Sequence, residues 1–149
     1  MTPATLQALR RLLFFSVPEA ATLIGQVTER SWRMWEHGER TIPHDVQQSI
    51  VDLCQWRAQA LTTAEKQIAA IQARHGHAAS VALLWYQSLD DWATLPGREP
   101  AQWRPQCSVV AELAARHGAR LVAFDGPAYA RWLGQRKDSE ALRASWGAL

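Results

Sequence analysis

Between Thr28 and His37 the chain carries two arginines, Arg30 and Arg33, three residues apart, with Glu29 and Met34 beside them. On a helix that spacing gathers the four side chains on one polar side. A guanidinium held there can grip guanine O6 and N7, a carboxylate can accept from cytosine N4, and an apolar tip can touch a thymine methyl. Around them stand groups suited to phosphate oxygens: Thr28 and Ser31 at the start, and His37, Arg40 and Thr41 at the far end. These residue types suit recognition rather than bond breaking. No GxSxG, P-loop or GxGxxG pattern occurs in the chain. Cys54 and Cys107 each sit in an apolar helical pattern and read as buried, inert thiols. His75-x-His77 has no acidic or cysteine neighbour to complete a metal site. No catalytic residue, metal ligand or cofactor is expected.

Such a face needs a frame. Thr2-Pro3 offers an N-cap followed by proline at the first helical position, and Leu6, Leu9, Leu12 and Leu13 then recur at helical spacing. Phe14-Phe15 ends that segment. Ser16-Val17-Pro18-Glu19 is a capping box that opens a second helix, whose buried side is Ala20, Ala21, Leu23 and Ile24. The turn Gly25-Gln26-Val27 is expected to use Gly25 for a positive φ and Val27 to plug the gap between helices. Thr28 can cap a third helix, with Trp32 and Trp35 directed inward and Gly38 as its stop. Two short helices joined by a tight turn, with a first helix across both, form the helix-turn-helix arrangement.

Beyond Pro43 a helical pattern runs through Val46, Ile50, Leu53, Cys54, Arg57 and Leu61. Thr62 to Glu65 resembles another capping box, which leaves one long helix or two open. Val81–Tyr86 and Leu121–Phe124 read as strands, Leu89–Leu95 and Trp103–Arg116 as helices, and Asp125-Gly126-Pro127 as a turn into a short helix with Tyr129, Trp132 and Leu133. The tetrapeptide ARHG occurs twice, at 73–76 and 115–118, and reads as a recurrent helix ending. Trp85, Trp92, Trp103 and Trp132 read as core. The expectation is a mainly α protein with a helix-turn-helix bundle in residues 1–61. A small α+β dimerisation domain follows in 62–149, with a loosely ordered tail from about 134. Strand edges at 81–86 or 121–124 could pair across a dimer axis.

The 149 residues hold 16 Lys plus Arg against 14 Asp plus Glu, a net charge of +2, so a general polyanion-coating role is disfavoured. Residues 1–45 hold five arginines and five carboxylates, so weak non-specific affinity is expected there, with specificity resting on two half-sites at once. A composition 48% hydrophobic and 20% charged is globular. No apolar run approaches the roughly 18 residues of a membrane span, and Met1-Thr2-Pro3 lacks a leader pattern. With lone cysteines, a cytoplasmic protein is expected. The neutral module leaves open a protein-interaction role like that of an antitoxin, and the same arginines leave RNA open as a partner.

The run Leu9-Arg10-Arg11-Leu12, Ser16 to Ala21, Ile24-Gly25, Val27 to Trp32, Trp35 to Gly38 and Ile42-Pro43 resembles the YdiL-like helix-turn-helix group. That group includes anti-CRISPR-associated regulators of phages and mobile elements. The core RSW..WE.G, followed by Pro43 and Asp45, is its most specific part. A weaker match runs through Leu84–Trp92 and Trp103–Val110, so the likeness covers about the first 120 residues. One helix-turn-helix reads only a few base pairs, so a homodimer on an inverted repeat of double-stranded DNA is expected; the resemblance implies a lambda-repressor-like bundle and repression of its own operon. It also implies an Arg10–Glu36 ion pair that joins the first and third helices as scaffold. The sequence departs from lambdoid repressors at Val17, where they usually carry glutamine, which puts that phosphate contact in question.

Overall fold

Threonine and proline set the first helix. In the computed structural model, which describes residues 1–76 and 81–149, α1 (Pro3–Leu12) begins where the Thr2 hydroxyl accepts the Thr5 N–H at 3.1 Å. Leu6 and Leu13 are fully buried and Leu9 packs against the same core. Leu12, expected on that face, is 45% exposed, and Arg10 takes an inward place instead. Phe14 closes the helix in the left-handed region (φ 65°), which returns Phe15 to the core.

The capping box opens α2 (Val17–Ala20): Ser16 Oγ accepts from the Glu19 N–H while the Glu19 carboxylate accepts from the Ser16 N–H. This helix runs directly into a π turn (Ala21–Gly25). The Ala21 carbonyl accepts from both Gln26 and Val27, a helix ending that needs one left-handed residue. That residue is Gln26 (φ 49°), not Gly25 as expected. Gly25 answers a different constraint: a Cβ there would lie 3.0 Å from Val27 Cγ2 and 3.2 Å from the rings of Trp32 and Trp35. Val27 packs against the helix-turn-helix core as expected, and α3 (Glu29–Glu36) follows.

Helix α4 (His44–His75) is unbroken. The Thr62 hydroxyl bonds back to the Ala58 carbonyl rather than capping a new helix, so the expected boundary at 61/62 falls inside one element. Thirty-two residues make a rod of about 48 Å. Val46, Ile50 and Leu53 at its start seal the α1–α3 core, while Leu61, Ala64 and Ile68 pack with Val109 and Leu113.

The second half contains β1 (Ala82–Trp85), α5 (Leu89–Ala93), a 3-10 turn (Pro100–Gln102), α6 (Trp103–His117), β2 (Arg120–Ala123), α7 (Gly126–Leu133) and α8 (Glu140–Gly147). β1 and β2 pair in parallel within the one chain, with Leu83 opposite Leu121 and Leu84 opposite Val122. Parallel strands need a crossover, and α5 and α6 supply it. Tyr86, Trp92, Trp103, Cys107, Phe124 and Tyr129 form the aromatic core there, while Trp85 and Trp132 are half-buried against it.

The expected loose tail from about 134 is corrected by α8. Ser139 caps it, Gly147 lets it approach so closely that a Cβ would meet Leu84 Cδ2 at 2.8 Å, and Arg143 is 1% exposed. That guanidinium donates to Asp138 at 2.7 Å, Thr94 Oγ1 at 2.8 Å and the Asp91 carbonyl at 3.3 Å. Two further links cross the molecule: Arg57 of α4 donates to Ser108 at 2.8 Å and pairs with Glu112 of α6, and Arg104 of α6 pairs with Glu19 at 2.6 Å. Among the described residues no helix is long and apolar enough to cross a membrane.

The turn makes opposite demands on neighbouring residues. Gly25→Ala is expected to lower unfolding free energy in urea by about 1–3 kcal/mol through overpacking. Gln26→Gly is expected to raise it by about 0.5–1 kcal/mol, because glycine enters the left-handed region without the Cβ penalty.

Candidate nucleic-acid interface

Helix α3 has a clear inside and outside. Thr28 caps it by accepting the Ser31 N–H at 3.2 Å. Trp32 is fully buried and Trp35 is 6% exposed, their rings edge to face at 5.5 Å. Glu36 fixes this inner side. One carboxylate oxygen accepts from Arg10 Nε at 2.5 Å and from the Trp32 indole N–H at 2.8 Å; the other accepts from Arg10 Nη2 at 3.1 Å. Arg10 Nη1 donates to the Phe15 carbonyl at 2.8 Å. The implied Arg10–Glu36 pair is therefore present and sheltered, with side chains 8% and 5% exposed. Burial by itself would raise the Glu36 pKa, yet the hydrogen bonds from Arg10 and Trp32 outweigh it and hold the carboxyl below its ordinary value.

The outer side carries the sequence-derived recognition residues. Arg30 is exposed and has no carboxylate partner among the described residues. Arg33 pairs with Glu29 one turn earlier, both side chains about half exposed, so this carboxylate steers a guanidinium as well as facing solvent. Met34 is half-buried beside them. The hydroxyls of Thr28 and Ser31 share a hydrogen bond at 3.1 Å and close the helix start. Thr28 therefore caps the helix, with the Ser31 hydroxyl bonded to it, at the place where phosphate bonding was expected of both. His37 caps the far end, 3.6 Å from Glu39, and Arg40 and Thr41 are exposed just beyond. Glu29, Arg30, Arg33 and Met34 thus lie on one helix, with His37, Arg40 and Thr41 following its end.

The structure adds a group the sequence reading missed. Glu19 accepts from Arg104 Nε at 2.9 Å and Nη2 at 2.6 Å, while also closing the α2 capping box. Burial works against its charge, but the Arg104 and Ser16 hydrogen bonds together depress its pKa. Eighty-five residues separate the partners, so no local pattern signals them. The pairing alters the electrostatics of the module. Five arginines and five carboxylates occupy residues 1–45. Arg10 and Glu36 cancel internally and Glu19 is neutralised by Arg104, which leaves four arginines against three carboxylates.

Of the other groups, Cys107 is buried, and burial pushes its thiol up to about 11, so it stays protonated at neutral pH. Cys54 is half-buried and its pKa is raised for the same reason. His77 lies outside the described residues; among those described, no group of three or more His, Cys, Asp or Glu side chains could hold a metal.

Glu36→Gln leaves Arg10 as a buried charge without its counter-ion and is expected to cost about 3–5 kcal/mol in chemical denaturation. The depressed pKa gives a second check. Its stabilisation is fully present above about pH 4.5 and is lost as pH falls through the lower folded-state value. Wild-type stability should therefore drop in that acid window more steeply than that of Glu36→Gln.

Known proteins resemble this chain in sequence. The chain is 37% identical over 112 residues to the Aca2 repressor of Pectobacterium phage ZF40, covering 74% of this chain and 90% of that one. It is 29% identical over 123 residues to the uncharacterized protein YdiL of Escherichia coli K12, covering 81% of this chain and 99% of that one. The relative with an assigned role is named as a repressor, not as an enzyme. The Aca2/YdiL-like family model matches residues 1–122, spanning the helix-turn-helix bundle, all of α4, α6 and most of β2, and the chain belongs to that family.

Proposed function

We propose that this chain is a sequence-specific DNA-binding transcriptional regulator that represses its own operon, one carrying an anti-CRISPR gene. The observation that carries the reading is the exposed guanidinium of Arg30, without a carboxylate partner among the described residues, on a helix whose indoles are locked inside. Arg30 stands in the first turn of α3, the part of a recognition helix that meets base edges in the major groove. It reads guanine bidentately, Arg33 takes a neighbouring base or phosphate under the guidance of Glu29, and Met34 meets a thymine methyl. His37, Arg40 and Thr41 bond the backbone beyond the helix end, and the start of α3 offers its free N–H groups together with Thr28 and Ser31. Repression follows from occupancy that excludes RNA polymerase and needs no cofactor.

One such helix reads only a few base pairs, so the operator is an inverted repeat and the protein a homodimer. Support for self-association comes from β2. It is one edge of a two-stranded sheet, most of its residues are exposed, and Leu121 is 38% exposed. An open strand edge pairs readily with a second copy. The residual charge of four arginines against three carboxylates in each module favours DNA without making it a non-specific coat.

Arg30→Ala is expected to weaken binding to the inverted repeat upstream of its own gene by about 10- to 100-fold, as befits a bidentate base contact. Thermal unfolding should stay within about 0.5 kcal/mol of wild type, since the side chain touches nothing inside. Mobility shift and differential scanning calorimetry measure the two effects, and unchanged affinity would overturn the reading.

A further inference from the structure

A cavity of about 660 Å³ opens between α4, β1, α6 and α8. That volume is within the usual range of small-molecule sites. Leu84, Val109 and Leu113 give it an apolar lining, and its charged groups are Arg98, Arg143 and Glu140. The two arginines are satisfied very differently. Arg143 is buried and paired with Asp138, whose side chain is 21% exposed. Arg98 is less deeply placed, its side chain 8% exposed, with its guanidinium over Trp92 at 4.1 Å and Tyr86 at 4.5 Å. It donates to the Trp92 carbonyl at 3.2 Å and to the Tyr86 hydroxyl at 3.1 Å. Its carboxylate partner is Glu140, which accepts from Nε and Nη2 at 2.8 Å each yet is itself 68% exposed. A desolvated guanidinium thus relies on a counter-ion that stands mostly in water. The carboxylate is therefore the half of this pair that solvent reaches, whereas the fork of Arg98 is held in place by the groups around it.

We propose that this cavity binds a small organic monocarboxylate with an apolar body, whose carboxylate takes the bidentate place of Glu140 on Arg98. The fork of Arg98 is already oriented by two aromatic faces and two hydrogen bonds, so the ligand meets a prearranged donor pair. Its apolar portion lies on Leu84, Val109 and Leu113. The site is separate from α3, and its occupancy is read on the protein alone, whether or not the chain binds DNA.

Hydrocinnamate and its primary amide, titrated into the full-length protein by isothermal calorimetry, test the assignment. The acid is expected to bind saturably and at least about tenfold more tightly than the amide, because only the acid forms charge-assisted hydrogen bonds. Glu140→Ala vacates Arg98. It should lose thermal stability, regain it with the acid and not the amide, and bind the acid about two- to fivefold more tightly than wild type. Ala144→Phe, which fills the cavity from α8, should abolish binding and leave the oligomeric state unchanged in size-exclusion chromatography with light scattering. Equal binding of acid and amide, or no saturation by about 10 mM acid with either wild type or Glu140→Ala, would overturn the proposal. So would a changed oligomeric state in Ala144→Phe, because a second copy would then be the occupant.

Discussion

The carboxylate of Glu36 holds three parts of the chain at once: the guanidinium of Arg10 on α1, the indole of Trp32 on α3 and, through Arg10, the carbonyl of Phe15 before α2. A planar fork on a carboxylate fixes direction as well as distance. That link to α1, together with the burial of Trp32 and Trp35, fixes the roll of α3 about its axis, while the bond from the Trp32 indole, one turn earlier on the same helix, holds the Glu36 carboxylate in place. With Trp32 and Trp35 turned inward, helical geometry leaves Arg30 and Arg33 turned outward. A buried ion pair of this kind contributes little net stability compared with a hydrophobic replacement. Here its consequence is orientation. A leucine at position 36 could fill space, yet it would not distinguish one roll of the helix from another.

The frame around that pair is built from elements shared between the two halves of the molecule. α4 begins in the helix-turn-helix core and ends against α6, so the halves have no linker between them. Arg104 reaches from α6 to Glu19, and the same carboxylate closes the α2 capping box. One side chain therefore starts a helix, ties it to the C-terminal half and removes a negative charge from the module that carries Arg30. The neutral tally of residues 1–45, which suggested a protein-interaction role, omits a counter-ion that only folding supplies.

Much of the N-terminal half was legible because its signals are local. Thr2, Ser16 and Thr28 cap the helices they were expected to cap, and the spacing of Trp32 and Trp35 marked the buried side of α3. Gly25 was located correctly and explained wrongly. Its lack of a Cβ is needed for packing against two indoles, while Gln26 bears the left-handed turn. Such a close approach depends on where distant side chains settle, which no turn rule contains. The strands and helices of the second half were found within a few residues, yet α8 was missed. Ser139 followed by Glu140, Ala141 and Leu142 is a readable helix start, but its polar surroundings suggested a tail. What docks α8 is the burial of Arg143 against Asp138 and Thr94, a tertiary event that charge composition obscures. That Glu29, Arg30, Arg33 and Met34 share one helix was legible from spacing; the pairing of Glu29 with Arg33 needed coordinates.

The orientation of α3 can be read directly by nuclear magnetic resonance. The indole Nε1–H of Trp32 and the guanidinium Nε–H of Arg30 give separate signals that can be followed while an inverted-repeat duplex from upstream of the gene is added. The Arg30 signal should move to a saturated value at one duplex per two chains, the ratio of the proposed homodimer, and the Trp32 indole, bonded to Glu36, should stay in place. A shifted or broadened Trp32 indole with an unmoved Arg30 signal would mean that the helix meets its partner through the opposite side.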